Sequence, residues 1–188
     1  MSRAYRIQVK ESVTKVVRAE DHVSCQLELL EILPCEQTAD LLGAELEKLG
    51  FVREGDIARR KTGVITVTVE LASGLVTVSA EETEKVQLEG TKEGITYTDT
   101  GPVKHAEKAL SDALLKELQV KADEKREDLQ KQVTDALESK LHDVRVELEG
   151  AVNRITAEAL KLRAAQLGQI KTITEDPASG SMTIVVEV

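Results

Sequence analysis

Residues 103–167 contain no proline and a single glycine, Gly150, and are dominated by Ala, Leu, Glu, Lys and Gln. These are strong helix formers, so the segment reads as one helix, on the order of 100 Å long at 1.5 Å per residue. Propensity alone does not hold such a helix in water; something must cover its apolar stripe. The stripe is legible. Leu110, Leu114, Leu118 and Ala122 recur at a spacing of four, and Leu129, Val133 and Leu137 resume the row after a polar interruption at Lys125-Arg126. Beyond Leu137 the spacing alternates four and three through Leu141, Val144, Leu148, Ala151 and Ile155. That alternation is the seam of a left-handed coiled coil, whereas the first half, nearer an eleven-residue repeat, should run straighter. The expected partner or oligomer interface is therefore the row Leu110, Leu114, Leu118, Leu129, Val133, Leu137, Leu141, Val144, Leu148 and Ile155. Pairs such as Asp112/Lys116 and Glu117/Lys121 add about a few tenths of a kcal/mol each.

The residues before this helix alternate as strands do. Tyr5, Ile7 and Val9 oppose Arg6, Gln8 and Lys10, and residues 13–19 fit a hairpin partner. Residues 22–32 alternate less cleanly and leave strand and helix both open. Pro34 introduces a helix over 35–49 with Leu42, Leu46 and Leu49 on one stripe. Gly50 stands at the position of a left-handed cap, with Phe51 packing back on the last turn. A meander follows. Strands are expected at 57–61, 64–71 and 75–80, the last two joined by Ala72-Ser73-Gly74, with weaker ones at 84–89 and 95–98. Gly168 ends the long helix, and residues 170–175 and 182–188 form a hairpin across a second Ala-Ser-Gly, residues 178–180. Duplication and coincidence both account for that recurrence.

The expected class is α+β. An antiparallel β-rich module with one short helix (1–102) precedes a very long charged amphipathic helix (103–167) and a C-terminal β-hairpin (168–188). A hairpin alone is marginal in water, so Met182, Ile184 and Val186 need cover from the helix end or from another molecule. An uninterrupted rod is favoured over a helix that folds back, because residues 103–149 hold neither proline nor glycine.

Charge narrows the function. The net charge is -9, which disfavours nucleic acid and anionic membrane as partners. Residues 1–102 carry 12 basic against 18 acidic side chains, whereas residues 103–167 carry 12 against 13. No apolar run reaches the roughly 20 residues that span a bilayer, and the first residues enter a strand pattern without a signal-peptide core. With two cysteines and no secretion signal, a reduced, cytoplasmic chain is expected.

Candidate chemistry is sparse. His22, Cys25 and Cys35 offer three metal ligands, but structural zinc takes four in tight pairs, and the parity of Cys25 suits a buried thiol. Arg59-Arg60-Lys61 is a basic cluster suited to a phosphate, or to guarding an edge strand. Glu81, Glu82 and Glu84 at an expected turn, and Asp123, Glu124, Glu127 and Asp128 on the helix, read as solvated faces. His105 and His142 have no relay partner, and there is no phosphate-binding glycine loop. No catalytic residue, cofactor or metal is assigned.

Two stretches carry a family likeness. Leu27-Glu28-Leu29-Leu30-Glu31-Ile32-Leu33-Pro34, followed by Leu41-Leu42-Gly43-Ala44-Glu45-Leu46-Glu47-Lys48-Leu49-Gly50-Phe51, resembles small accessory proteins of bacterial FtsH-type ternary systems. The ending, from Leu167-Gly168 into an apolar strand, is similar to the ends of short proteins that accompany such ATPases. Those systems combine an FtsH-like AAA+ ATPase, a MoxR-type ATPase and a von Willebrand A component. The resemblance implies an accessory or adaptor subunit and carries over no catalytic residues. The functional expectation is a non-enzymatic adaptor that assembles with copies of itself or with an AAA+ ATPase. A stalk-like peripheral subunit of an ATPase machine is the alternative, and an enzyme with an interface site comes third.

Overall fold

The computed structural model describes residues 4–97, 103–176 and 181–187. It is an α+β protein in which α2, Val103–Leu167, is one continuous 65-residue helix passing straight through Gly150. Five strands form one sheet in the order β1-β5-β4-β3-β2, and two more form a separate hairpin. These are β1 (Ala4–Gln26), β2 (Val52–Glu54), β3 (Ile57–Thr62), β4 (Ile65–Glu70), β5 (Leu75–Tyr97), β6 (Gln169–Asp176) and β7 (Ser181–Glu187). The short helix α1 is Cys35–Lys48.

Two strands are far longer than the sequence suggests. Residues 13–19 are not a hairpin partner but the middle of β1, which runs 23 residues. The reason lies in the side chains. The odd-numbered row continues from Ile7 through Val13 and Val17 to Ala19, and Glu11-Ser12 contains no Gly, Pro, Asn or Asp to turn the chain. Likewise Glu81–Glu84 is not a turn, and β5 carries on through it to Tyr97. Residues 27–33 are neither strand nor helix. The α1 terminus is as expected: Gly50 has φ 84°, the Phe51 amide donates to Leu46 O at 3.0 Å, and Phe51 is buried.

The chain groups into two compact units, and β1, β5 and α2 each contribute to both. The first unit is a ribbon of residues 4–21 and 81–97 with residues 103–135 of α2. Its core is Ile7, Val17, Ala19 and Val86 with Leu114, Leu118, Ala122, Leu129 and Val133. Glycine makes the close approach possible: a Cβ on Gly90 would lie 2.8 Å from Leu114 Cδ1 and 3.3 Å from Leu118 Cδ2. Polar contacts flank this thin core. Ser111 Oγ donates to Glu11 (2.6 Å), Gln130 Nε2 to Glu20 O (3.0 Å) and Thr134 Oγ1 to Asp21 (2.8 Å).

The second unit holds residues 22–80 and 136–188. Here β2, β3, β4 and the start of β5 pair antiparallel, with Val52 opposite Arg59, Arg60 opposite Val67 and Val67 opposite Val78. One face of this sheet presents Ala58, Ile65, Val67, Val69, Val76, Val78 and Ala80, all buried. Leu42 and Leu46 of α1 and Leu137, Val144, Leu148, Ala151, Ile155 and Ala159 of α2 are buried in the same unit. Each such Val, Leu or Ile side chain contributes about 1.5–3 kcal/mol of transfer free energy, and each Ala less. The other face, with Thr66, Thr68, Thr77 and Ser79, is half-exposed.

The apolar stripe of α2 thus belongs to the chain itself. Of the ten seam residues, Leu114, Leu118, Leu129, Val133, Leu137, Val144, Leu148 and Ile155 are buried within the single molecule, and Leu110 and Leu141 are half-buried. The sequence pattern places a partner along this row; in the structure each unit's strands stand where that partner would be. The pattern reports only that a helix face is covered, not by which chain.

Candidate docking surfaces

The residues singled out for chemistry scatter. Cys25 and Cys35 are both free and exposed, so the expectation of a buried Cys25 is corrected: the last residues of β1 lie beyond the buried row. Cys35 Sγ lies 3.5 Å from Ala72 O at the start of α1. Among the described residues no group of His, Cys, Asp and Glu is arranged to hold a metal ion. Glu81 accepts an ion pair from Arg18 at 3.0 Å, and Asp123–Asp128, His105 and His142 are exposed on α2.

Arg59-Arg60-Lys61 is split by the strand period. Arg59 and Lys61 are exposed, whereas Arg60 turns inward. Its two terminal nitrogens clasp the Glu147 carboxylate of α2, one at 2.7 Å, and the first also donates to Leu49 O at 2.8 Å. The guanidinium lies 4.5 Å from the centroid of Phe51, an Arg–aromatic stack. Arg60 is thus a structural clamp joining the end of α1, β3 and α2, with its charge neutralised. Beside it an open groove of about 410 Å³ has Val64, Ile65, Val67 and Val144 on its floor and Lys140 and Asp143 on its rim. It could take an aliphatic side chain, but presents no free charge to orient a reacting group.

A second clamp joins α1 to α2. Buried Glu45 accepts from Lys48 Nζ at 2.8 Å and from Arg154 Nε. The Lys48 hydrogen bond, followed by Arg154, holds the Glu45 carboxyl below its usual value against the opposing effect of burial, and Arg60 does the same for Glu147. Because both folded-state values are depressed, their stabilisation is complete above the unfolded value of about 4.3 and is lost as pH falls through the folded values. Urea midpoints measured from about pH 6 to about pH 3 should therefore fall, and Glu45→Gln/Glu147→Gln should flatten the fall.

The first unit offers a different surface. β1 is an edge strand, and the ladder partners of β5 on its β4 side end at Ala80 among the described residues, so the ribbon has two backbone edges. Alternate residues of β1 point away from the core: Arg6, Gln8, Lys10, Ser12, Thr14, Val16 and Arg18 are all exposed. Arg18 is paired with Glu20 and Glu81, whereas among the described residues no carboxylate pairs with Arg6 or Lys10. Exposed apolar groups accompany them. Val16 is 68% exposed, and Ile95, beside Gly94 on β5, is 64% exposed. Sequence reasoning missed this surface, although the even-numbered row from Arg6 to Arg18 is visible once the strand is read as continuous.

The fold defines a class: an α+β protein whose long helix is buried along one side within its own chain, with β1 at the edge of its sheet and a C-terminal hairpin whose described side chains are at most half-buried. Over residues 1–188 the sequence matches the FtsH ternary system domain X5, and the chain belongs to that family. The likeness seen in Leu27–Pro34 and Leu41–Phe51 is thereby extended to the whole chain. No curated protein and no solved structure matches it. Among the described residues no helix is long and apolar enough to cross a membrane.

Proposed function

We propose that the chain is a non-enzymatic accessory subunit that works in the cytoplasm by docking on the AAA+ ATPase of its ternary system. The observation that supports this is the match to an FtsH ternary system domain along residues 1–188. The docking surface is the outer row and edge of β1 in the first unit. An open edge strand recruits an extended segment of another protein through main-chain hydrogen bonds. Arg6 and Lys10 add a basic stripe on an otherwise acidic chain, which speeds encounter with an acidic partner and fixes its register. Exposed Ile95 supplies apolar area beside that stripe.

The test is a binding titration of the purified chain against the FtsH-like ATPase of its system. Arg6→Glu/Lys10→Glu should weaken binding by about tenfold or more and reduce its salt dependence, since two favourable charges become repulsive. Both side chains are exposed, so the circular dichroism spectrum should stay that of the wild type. Equal binding by the variant and the wild type would remove β1 from the interface. Absence of binding by the wild type would remove the ATPase as the partner.

A further inference from the structure

The C-terminal hairpin is a second copy of the β4–β5 hairpin. Residues 66–81 and 172–187 align without a gap, and seven of the sixteen positions are identical: Thr66/Thr172, Thr68/Thr174, Ala72/Ala178, Ser73/Ser179, Gly74/Gly180, Thr77/Thr183 and Glu81/Glu187. The pairing follows the same offset. Val67 opposite Val78 becomes Ile173 opposite Ile184, Thr68 opposite Thr77 becomes Thr174 opposite Thr183, and Val69 opposite Val76 becomes Glu175 opposite Met182. Agreement of both sequence and register favours duplication over coincidence for the recurrence of Ala-Ser-Gly.

The copies differ in what covers them. In the first, Val67, Val69, Val76 and Val78 are at most 3% exposed, in the same unit as buried residues of α1 and α2. In the second, none of the described side chains of β6 and β7 is buried, and Ile173 is 40% exposed. The hairpin is nevertheless held in place. Lys161 Nζ pairs with Glu175 at 2.9 Å, and a Cβ on Gly168 would collide with Glu187 O, so β7 ends flush against the helix end. Beside it the last turns of α2 expose Leu160, Leu162 and Leu167, the last at 59%. The hairpin thus presents a face of Ile173, Met182 and Ile184, with Glu175 beside them, that is at most half-buried, next to a helix end with apolar residues unburied.

We propose that these two surfaces cover each other between two copies of the chain. The last turns of α2 from one copy lie over the Ile173, Met182 and Ile184 face of the other, and the reverse, around a two-fold axis. A patch carrying both halves of a contact is self-complementary, the condition for a closed dimer rather than a chain of subunits. The occupant is a helix because helices share the buried core of the first copy, and the helix with exposed apolar residues beside the hairpin is α2 itself. The dimer is independent of ATPase docking, which uses residues of the other unit.

Sedimentation equilibrium on the full chain, from low micromolar to a few hundred micromolar, tests this. The wild type should approach twice 20.6 kDa. Leu160→Asp/Leu167→Asp, both on exposed positions, should weaken the dimer by about a hundredfold or more with unchanged helical circular dichroism. Ile184→Lys should do the same from the strand side. A wild type that stays monomeric throughout overturns the proposal. So does a dimer that persists in both variants, which would put the contact elsewhere on the chain. If Ile184→Lys unfolds the hairpin, the helix variant decides.

Discussion

Truncating Leu118 or Leu148 to alanine is expected to lower the unfolding free energy by about 2–5 kcal/mol each, with the same loss at low and high protein concentration. Both side chains are at most 2% exposed within one molecule, Leu118 in the first unit and Leu148 in the second. Removing either deletes buried methyl groups and leaves a cavity. Concentration distinguishes this from a coiled-coil seam. If the stripe were buried by a second copy, each truncation would weaken association itself and its cost would change with concentration. Losses of this size that stay the same at every concentration are the expected result, whether or not the chain dimerises through its C-terminal hairpin. Because the first unit has a thin aliphatic core, Leu118→Ala should also broaden or split the transition, in contrast to an exposed control such as Glu138→Ala.

Arg60→Ala carries the second large effect, a loss of about 2–4 kcal/mol. The side chain is less than a third exposed, clasps Glu147, donates to Leu49 O and stacks on Phe51. Its removal strands a half-buried carboxylate, leaves a carbonyl at the end of α1 without its donor and uncovers an aromatic face. Arg60→Lys should recover only part of the loss, since an ammonium makes one contact where the fork makes several. Arg59→Ala, one residue away and exposed, should change stability by no more than about 0.5 kcal/mol. Paired urea melts of the three variants check this contrast, and equal losses at Arg59 and Arg60 would contradict the clamp.

The elements that local chemistry defines were legible in the sequence. The helix 103–167, the Gly50–Phe51 cap and the strands on either side of Ala72-Ser73-Gly74 follow from composition, turn residues and period. What local pattern cannot carry is where a continuous strand would be read as two. Glu11-Ser12 and Glu81–Glu84 break the apolar row, yet both strands pass through. Polar side chains are tolerated there because they find partners: Glu11 accepts from Ser111 of α2, and Glu81 pairs with Arg18. The cover of the α2 stripe was illegible for a different reason, since a row of leucines at helical spacing is the same whether strands or a second helix lie against it. The basic row of β1 was hidden by the break expected after Glu11. The duplication was visible as a repeated Ala-Ser-Gly, but its weight came from the shared pairing register, which only the structure supplies.

The most direct test of the docking account is hydrogen exchange on the chain with and without the FtsH-like ATPase of its system. The account predicts that binding slows exchange along residues 4–20 of β1, whose outward amides gain partners. Residues 114–155 of α2, already covered in the free chain, should be slow in both states. New protection confined to α2, with β1 unchanged, would contradict it and return the partner interface to the helix seam.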